Sequence, residues 1–394
     1  MELIELELKA AFQEMVENAE KLLRNNENTR RDLKDFKLSV QWNVGSLNGY
    51  QIFNKGEYLY KIDEELDKPN LLITFESTEI AKKLFEGKLR DFRQMKDGLI
   101  HRFRFVENED NMNIIEPKVP FEDFEYDMQL KFSKKRYDLP LMFLAKIPVF
   151  NTLYLNHWDA EHVSGGPIPI NQSLGTYENQ IIPLVVLEHF LKKAKFIYLV
   201  DCGCRIARKC ENHDYRLGCM YLGQPAANID LTAPWRIEKH GHYATFEDAM
   251  DQARRAIEDG LVPTLGRLRG DVIALGILPD DGHLMSICFC CSCCCAFNSL
   301  KYATSDLRNL FTRMEGVKVE IDIDMCSGCG TCVNNCMYGA VKIIDGKAQI
   351  NQDFCLGCGR CETNCPDGAV SISIENVNKV EELIARLESY IDVS

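Results

Sequence analysis

The sequence predicts an α+β protein of three regions: an α+β region at 1–118, an α/β cysteine-rich region at 119–316 and a smaller region at 317–394. Three observations support this division. The first region mixes helical and strand periodicities and contains no cysteine. All 18 cysteines lie at or beyond Cys202 and fall in three bursts. In the last burst, a pattern of four cysteines recurs 29 residues later.

The composition limits the classes of protein to which the chain could belong. A net charge of −13 argues against general nucleic-acid binding, which needs a basic surface. Met1–Glu5 is acidic and no apolar signal segment is visible, while Leu139–Phe150 is too short to span a bilayer. Clustered cysteines without an export signal are typical of a reducing compartment. We therefore expect a cytoplasmic protein without a transmembrane segment.

The N-terminal region shows helix and strand signals in a clear order. Leu3–Leu23 has apolar residues at helical spacing, which predicts an amphipathic helix. The elements predicted after it are a strand at Phe36–Val44, a hairpin turn at Asn48-Gly49, strands at Tyr50–Phe53 and Tyr58–Ile62 around a turn at Lys55-Gly56, a strand at Leu71–Phe75 and a helix from Ser77 to Phe85.

This N-terminal order resembles the sterol-carrier-protein-2-like family. The segment that carries the resemblance is Leu71–Ser77, which runs into Lys83–Leu89. The resemblance implies an apolar tunnel and a hydrophobic small-molecule ligand. A small α+β region with an ordinary core, or a module that forms a homodimer, explains the same pattern.

The central region has fewer predicted elements. Residues 119–180 are rich in Pro, Gly and Asn and are hard to assign, and Gly316 marks the end of the region. The clearer predictions are a helix at Ile181–Lys193, a short buried strand at Lys195–Val200, a helix at Thr245–Gly260 with Thr245 as its N-cap, and a last amphipathic helix at Val377–Tyr390.

The duplicated cysteine pattern is the most specific motif. Cys326, Cys329, Cys332 and Cys336 recur as Cys355, Cys358, Cys361 and Cys365, with matching glycines between them. The pattern resembles the bacterial two-cluster ferredoxin family. The resemblance implies one [4Fe–4S] cluster on Cys326, Cys329, Cys332 and Cys365, and another on Cys355, Cys358, Cys361 and Cys336. Met337 departs from the family, which has proline after the fourth cysteine, whereas Pro366 keeps it. A zinc module would not need the duplication.

The first central burst has a different spacing. It consists of Cys202, Cys204, Cys210 and Cys219. Four thiolates within 18 residues can hold one cluster, although a zinc site has similar CxC pairs. Basic residues surround the burst and would stabilise an anionic cluster: Lys192, Lys193, Lys195, Arg205, Arg208 and Lys209.

The second central burst places six cysteines in eight residues. They are Cys288, Cys290, Cys291, Cys293, Cys294 and Cys295. If this run is extended, alternate residues face opposite sides, so that Cys288, Cys290 and Cys294 would share one face and Cys291, Cys293 and Cys295 the other. Each face could hold a cluster that a thiolate of the first burst completes. Two cysteines would then remain, as a redox-active pair or as ligands of an open site.

Other motifs are weaker. His213 and His283 are candidate proton donors beside a cluster, and His240 and His242 form a pair that could chelate metal. The sequence has no Walker A motif, no GxGxxG after a strand and no CxxCH haem signature. Paired CxCR and CxCCxCCC segments before a two-cluster ferredoxin region also resemble uncharacterised iron–sulfur proteins of anaerobes, which carry no assigned reaction.

These patterns predict an iron–sulfur redox protein. We expect two [4Fe–4S] clusters in the C-terminal region and one or two more in the central region, with about 16 iron if there are four cubanes. The leading hypothesis is an oxidoreductase in which the C-terminal region delivers low-potential electrons to central clusters that reduce a substrate, which would be hydrophobic if the N-terminal tunnel is present. The alternatives are an electron-transfer subunit for a redox partner protein and a carrier of clusters or metal.

Overall fold

The computed structural model describes residues 2–67, 69–75, 77–90, 116–117, 144–177, 180–229, 231, 240–277 and 281–394. These residues form mixed helices and sheets in two compact units. One unit comprises Met1–Trp158 with Ala303–Leu307, and the other comprises Asp159–Tyr302 with Arg308–Ser394. The predicted boundary between 118 and 119 lies outside the described residues, and the division into three regions stays a prediction. Within the described ranges, no helix combines the length and the apolar character needed to cross a membrane.

The first unit contains a five-stranded sheet in the order β3-β2-β1-β4-β5. Only β1 and β4 run parallel, and the other neighbours pair antiparallel. The predicted helices and strands of this unit are confirmed. Its elements are α1 (Glu2–Asn25), α2 (Glu27–Leu33), β1 (Lys37–Val44), β2 (Leu47–Asn54), β3 (Glu57–Ile62), β4 (Leu71–Phe75), α3 (Thr78–Phe85), β5 (Glu116–Pro117) and α4 (Pro148–Trp158).

One of the two predicted hairpin turns was wrong. Asn48 and Gly49 lie inside β2, and the turn is at Gly45-Ser46, where Gly45 has a φ of +58°. Gly49 instead lies against the Phe12 ring, because a Cβ there would come within 2.6 Å of that ring. The glycine therefore allows α1 to approach the sheet closely and does not form the turn.

Aromatic side chains fill the core of the first unit. Trp42 is fully buried, and the rings of Phe12, Phe75, Phe85 and Phe150 lie 5.5–6.3 Å from it between centroids. These contacts hold α1, α3 and α4 against the sheet. A hydrophobic ligand for this unit stays a prediction.

The second unit is built on a six-stranded sheet in the order β11-β9-β10-β13-β12-β6. Every described pair of neighbours in it is antiparallel, so this region is α+β and the expected α/β arrangement was wrong. The cysteine-bearing connection between β9 and β10 forms no crossover to a parallel strand. The elements are β6 (Ser164–Pro167), β7 (Thr176–Tyr177), β8 (Gln180–Ile181), α5 (Ile182–Lys193), β9 (Ile197–Val200), α6 (Gly203–Arg208), β10 (Met220–Leu222), β11 (Gly241–Tyr243), α7 (Phe246–Glu258), β12 (Val262–Arg267), α8 (Arg269–Leu275) and β13 (Met285–Cys290).

Helix α7 begins as predicted. The Thr245 hydroxyl accepts a hydrogen bond from the Asp248 backbone N–H at 3.1 Å, and the Asp248 carboxylate accepts one from the Thr245 N–H at 3.1 Å. This capping box satisfies donors that a helix start leaves unpaired.

The C-terminal part of the second unit pairs its strands in two short ladders. Strand β14 lies antiparallel to β17, and β15 to β16, with one short helix after each cysteine loop. Helix α9 (Ser305–Arg308) falls mostly in the first unit. The elements after it are β14 (Val317–Ile321), α10 (Thr331–Asn335), β15 (Val341–Ile344), β16 (Lys347–Ile350), α11 (Arg360–Thr363), β17 (Val370–Ile374) and α12 (Lys379–Glu388).

Candidate metal centres

The second cysteine loop of the repeat opens onto a cavity. Cys355, Cys358 and Cys361 line it together with Cys336, which comes from the first half of the repeat. Tyr338 lines the same cavity. The structure therefore brings together one of the two sets of four thiols that the resemblance implied.

The other set lies on the opposite half of the repeat. Cys326 and Cys332 are buried, Cys365 packs beside them and Cys329 is exposed. Burial raises the pKa of Cys332, and the charges of Cys326 and Cys329 raise it further. This second set of thiols therefore also converges, but it has an exposed edge at Cys329.

Backbone N–H groups point at the thiols of the repeat. The Ala340 N–H donates to the Cys336 Sγ at 3.3 Å, and the Ala348 N–H donates to the Cys326 Sγ at 3.4 Å. Hydrogen bonds of this kind stabilise negative charge on cluster sulfurs. Burial raises the pKa of Cys361 to about 12, so metal binding there must displace a proton from the thiol.

The two halves of the repeat differ after the fourth cysteine. Met337 is completely buried, whereas Pro366 at the equivalent position is exposed. The next residues differ in the same way, because Tyr338 is buried and Asp367 accepts a hydrogen bond from Ser327 at the surface. The departure at Met337 thus places an apolar side chain in the core of the second unit.

Strand register brings the two central bursts together. In the antiparallel pair of β10 and β13, Met220 lies opposite Ile287, which places Cys219 beside Cys288. Their Sγ atoms are 3.3 Å apart. Gly218 allows the chain before Cys219 to lie close to the end of β9, because a Cβ there would come within 1.8 Å of the Val200 carbonyl oxygen.

The six-cysteine run is not extended throughout, as the alternation of faces required. It leaves β13 at Cys290 and continues through a turn. Cys294 and Cys295 consequently exchange sides relative to the predicted faces. Thiols of the two bursts now form two groups. The inner group is Cys202, Cys204, Cys219, Cys288, Cys290 and Cys295, and the outer group is Cys210, Cys291, Cys293 and Cys294.

The inner group is linked by thiol–thiol contacts. Cys204 contacts both Cys202 and Cys295, and Cys295 also contacts Cys290. These contacts, with burial, raise the pKa values of Cys202 and Cys295 well above the ordinary range. Six thiols converge where a cubane would need four.

The outer group is more compact. The Sγ atoms of Cys210, Cys293 and Cys294 all lie within 4.8 Å of one another, and the Cys210–Cys293 distance is 3.7 Å. A ring nitrogen of His213 lies within 4.8 Å of the Sγ atoms of Cys291 and Cys293. This group therefore contains a nitrogen ligand candidate as well as thiols.

A buried arginine tests whether the central thiols fit an anionic metal centre. Arg205 is 1% exposed and donates to the carbonyl oxygens of Leu217 at 2.8 Å and Phe289 at 2.6 Å. Its Nε finds no hydrogen-bond partner among the described residues. Burial alone would lower the pKa of Arg205, but negative charge on Cys202 and Cys291 more than offsets this and raises it. A buried cation needs a compensating anion, and thiolate-bound metal supplies one, so the residues fit the group.

The other basic residues near the first burst have different partners. Arg208 donates to the Cys294 and Cys295 carbonyl oxygens. Lys192 pairs with Glu188, and Lys193 with Glu388. Within the described residues, Arg205 and Arg208 are thus the members of the predicted basic set that bond directly to the six-cysteine segment.

Two side chains of the repeat lie close to the six-cysteine segment. Tyr338 is 4% exposed, and its hydroxyl finds no hydrogen-bond partner in the described part of the chain. Burial raises its pKa well above the ordinary value, and the thiols of Cys358, Cys290 and Cys295 raise it further. Arg360, which precedes Cys361, donates to the Ser292 hydroxyl at 3.2 Å and to the Gly260 carbonyl oxygen at 2.7 Å.

The predicted histidines have different environments. His213 lies beside the outer group, and its Nδ1 is 2.8 Å from an Asp259 carboxylate oxygen. His283 contacts the Asp392 carbonyl oxygen at 2.9 Å. His240 and His242 are exposed, and among described residues they join no group of three potential ligand atoms.

Sequence reasoning missed the roles of Tyr338 and Asp259. Arg205 was noted only as one of six basic residues. The CxCR segment places Arg205 next to Cys204, which was the one available signal for its position.

The comparisons with known proteins identify the repeat. Residues 325–369 match the family model of the 4Fe-4S dicluster domain. The comparison with curated proteins gave no match for the chain. The C-terminal region therefore contains a ferredoxin-type iron–sulfur domain, and the match does not extend to the central cysteines.

Proposed function

We propose that this protein is an iron–sulfur oxidoreductase in which the ferredoxin-type domain supplies low-potential electrons to one further cluster held by the inner thiol group. The observation that carries the proposal is the position of Tyr338. This side chain lines the cavity of Cys336 and Cys358 in the repeat, and its buried hydroxyl also interacts electrostatically with Cys290 and Cys295 of the inner group.

The two halves of the repeat support a direction for electron transfer. Cys329 is exposed on one half, whereas Cys358 is buried and lies on the half that carries Arg360. A redox partner protein could approach the exposed half. The buried half contacts the six-cysteine segment through Arg360 and Ser292.

When bound, a [4Fe–4S] cluster accepts and releases one electron at low potential. The residues of the chain determine the charge, the hydrogen-bond donors and the solvent access around such a cluster. Arg205 places a buried positive charge beside the inner thiols, which favours the more negative, reduced state of whatever they bind. The unpaired Tyr338 hydroxyl is a donor directed into a sulfur-rich environment. Burial of Cys290 and Cys295 limits access of water and oxygen.

An electron-transfer subunit is the second candidate, and one observation favours it. The inner group has six thiols, so every iron of a cubane could carry a cysteine and none need be open to substrate. Addition of cyanide or carbon monoxide distinguishes an enzyme from an electron-transfer subunit. A change in the electron paramagnetic resonance (EPR) signal of the central cluster would favour an enzyme, and an unchanged signal would favour a relay.

Other parts of the proposal depend on the sequence patterns alone. A reducing cytoplasm suits the clustered thiols. A hydrophobic substrate depends on the sterol-carrier-protein-2-like resemblance of the first unit, and that unit could equally form a homodimer. A cluster carrier would release the central cluster to an acceptor protein, and retention of central iron after incubation with such an acceptor argues against it.

The variant Cys336→Ser tests the route. It removes one of the four thiols of the cavity that lies beside Tyr338. We expect the anaerobically purified protein to lose about four iron per chain. The central EPR signal should remain after chemical reduction, but its reduction by a reduced donor ferredoxin should slow at least tenfold in freeze-quench measurements.

Ser373→Ala is the matched control, because it changes an exposed residue of β17 that lies outside both cysteine loops. This control should keep the wild-type iron content and the wild-type rate at which the donor ferredoxin reduces the central cluster. Reduction of the central signal at the wild-type rate in Cys336→Ser would contradict the proposed route. A protein without any central iron would contradict the third cluster.

A further inference from the structure

The outer thiol group differs from the other cysteines in the distances between its ligand atoms. Within the part of the chain that the structure describes, two triads of candidate ligand atoms lie within 4.8 Å of one another, and both belong to this group with His213. None of the eight ferredoxin cysteines belongs to such a triad, although all eight are described. The inner group forms no such triad either.

The distances between Sγ atoms depend on whether the thiolates bind a cluster or a single metal ion. Cysteines that hold a cubane must surround four irons and four sulfides, so their Sγ atoms stay far apart. A single tetrahedral ion with metal–sulfur bonds of about 2.3 Å needs sulfur atoms about 3.8 Å apart. The Sγ atoms of Cys210, Cys293 and Cys294 form such a compact set of three, with 3.7 Å between Cys210 and Cys293. The inner group has a close pair, Cys219 and Cys288 at 3.3 Å, but no compact set of three, so a cubane there would use at most one thiolate of that pair.

His213 is positioned as a nitrogen ligand. Its Nδ1 faces the Asp259 carboxylate at 2.8 Å, which leaves Nε2 for another partner. Metal-bound histidines usually donate their other ring N–H to a carboxylate, which fixes the ring and the tautomer. Asp259 ends helix α7 and His213 lies in the loop of the first burst, so the contact also anchors that loop.

We propose that Cys210, Cys293, Cys294 and His213 hold one tetrahedral zinc ion, separate from the iron–sulfur clusters. Zinc suits three thiolates and one imidazole, and four protein ligands make a closed site without an open position. The ion would join the loop of the first burst to the turn of the second, across residues that are 83 positions apart. Cys293 belongs to both triads and so links His213 to Cys210 and Cys294. Cys291, the third member of the His213 triad, also lies beside Arg205 and is left outside the proposed ligand set.

The zinc site does not depend on the proposed electron transfer. A result that disproves the zinc site is therefore distinct from one that disproves the proposed function. Metal analysis of the anaerobically purified full-length protein should give one zinc per chain that survives dialysis against a chelator. X-ray absorption at the zinc edge should show three sulfur neighbours at about 2.3 Å and one nitrogen at about 2.0 Å. A shell of four sulfurs would overturn the role of His213. Absence of retained zinc would overturn the site.

Variants assign the ligands. Cys294→Ser and His213→Gln should each reduce retained zinc below about one-fifth of the wild-type amount, while iron and the ferredoxin EPR signals stay unchanged. Asp259→Ala should weaken zinc binding 10- to 100-fold in a competition with a chelator, because it removes the acceptor that orients His213. Loss of about four iron with Cys294→Ser would show that the outer group holds a cluster, and would overturn the proposal.

Two matched controls test specificity. His242→Gln changes an exposed histidine and should keep the zinc. Cys290→Ser changes a buried thiol of the inner group and should also keep it, whatever happens to the iron. Loss of zinc from either control would show that the ligand set is wrong. Cobalt in place of zinc gives an independent readout, because its visible spectrum should change in His213→Gln.

Discussion

The ferredoxin repeat and the central cysteine region hold thiols in two different ways. In the repeat, three thiols of each set come from one short loop, and one crosses from the other half. In the central region, thiols meet because β10 and β13 pair in one register, so that Cys219 lies beside Cys288. The first arrangement is local and can be recognised in a sequence, whereas the second depends on a sheet.

The comparison also shows how a duplicated motif becomes asymmetric. The half with Met337 and Tyr338 turns buried side chains toward the core of the second unit, whereas Pro366 and Asp367 face solvent. The cysteine loops themselves differ in the opposite sense, because the loop around Gly359 in the second half contacts Asn171, while the equivalent Gly330 in the first half has open space around it. The repeat thus has one open cysteine loop, at Gly330, and one cysteine loop joined to the central region, at Gly359.

The largest stability effect should come from Arg205→Met, which removes the buried positive charge of the central region. The anionic thiolates beside it would then lack compensation, so we expect unfolding of the holoprotein to become easier by about 3–5 kcal/mol. The reduction potential of the central cluster should also become more negative. Anaerobic chemical denaturation and an EPR-monitored redox titration measure the two effects.

Arg216→Met is the control for this change, since the Arg216 side chain is 71% exposed. It should alter the unfolding free energy by no more than about 0.5 kcal/mol. If Arg205→Met is as stable as this control, the central thiols do not carry the negative charge that the fold implies.

Met337→Ala should have the next largest effect and sharpens the asymmetry of the repeat. The side chain is fully buried, so its truncation should cost about 3 kcal/mol through lost contacts and a residual cavity. Pro366→Ala, at the equivalent exposed position, should cost less than about 1 kcal/mol. Denaturation of the two variants under the same anaerobic conditions provides the comparison, and equal losses would mean that the halves are equivalent.

Gly359→Ala should have the smallest effect and tests the contact between the repeat and Asn171. Gly359 has a φ of +82°, and a Cβ there would come within 1.4 Å of the Asn171 Oδ1. The left-handed backbone alone should cost about 1–2 kcal/mol, and displacement of Asn171 should add about 1 kcal/mol.

Gly330→Ala isolates the backbone part of that cost. Gly330 has a φ of +78°, and no atom lies within 4 Å of the position that an alanine methyl group would take. It should therefore lose only about 1–2 kcal/mol in the same denaturation measurement. A Gly330→Ala variant that is less stable than Gly359→Ala would reverse the assignment of the open and the docked loop.

Much of the secondary structure could be predicted from local patterns. The N-terminal strands, helix α5 and the Thr245 cap followed from apolar spacing and capping chemistry. The turn assigned to Asn48-Gly49 failed because a glycine signals both turns and close contacts, and the approach of Phe12 could not be known in advance. The alternation of faces in the six-cysteine run failed beyond Cys290, since the pattern cannot show where a strand ends.

The sequence by itself determined the ferredoxin-type domain, because its ligand spacing is local and its duplication is specific. It also determined that the central cysteines fall in two bursts. Only the tertiary structure decided which thiols meet, which of them interact with Arg205, and that Tyr338 interacts with thiols of both the repeat and the inner group. Those relations join residues tens of positions apart, and strand register and burial set them.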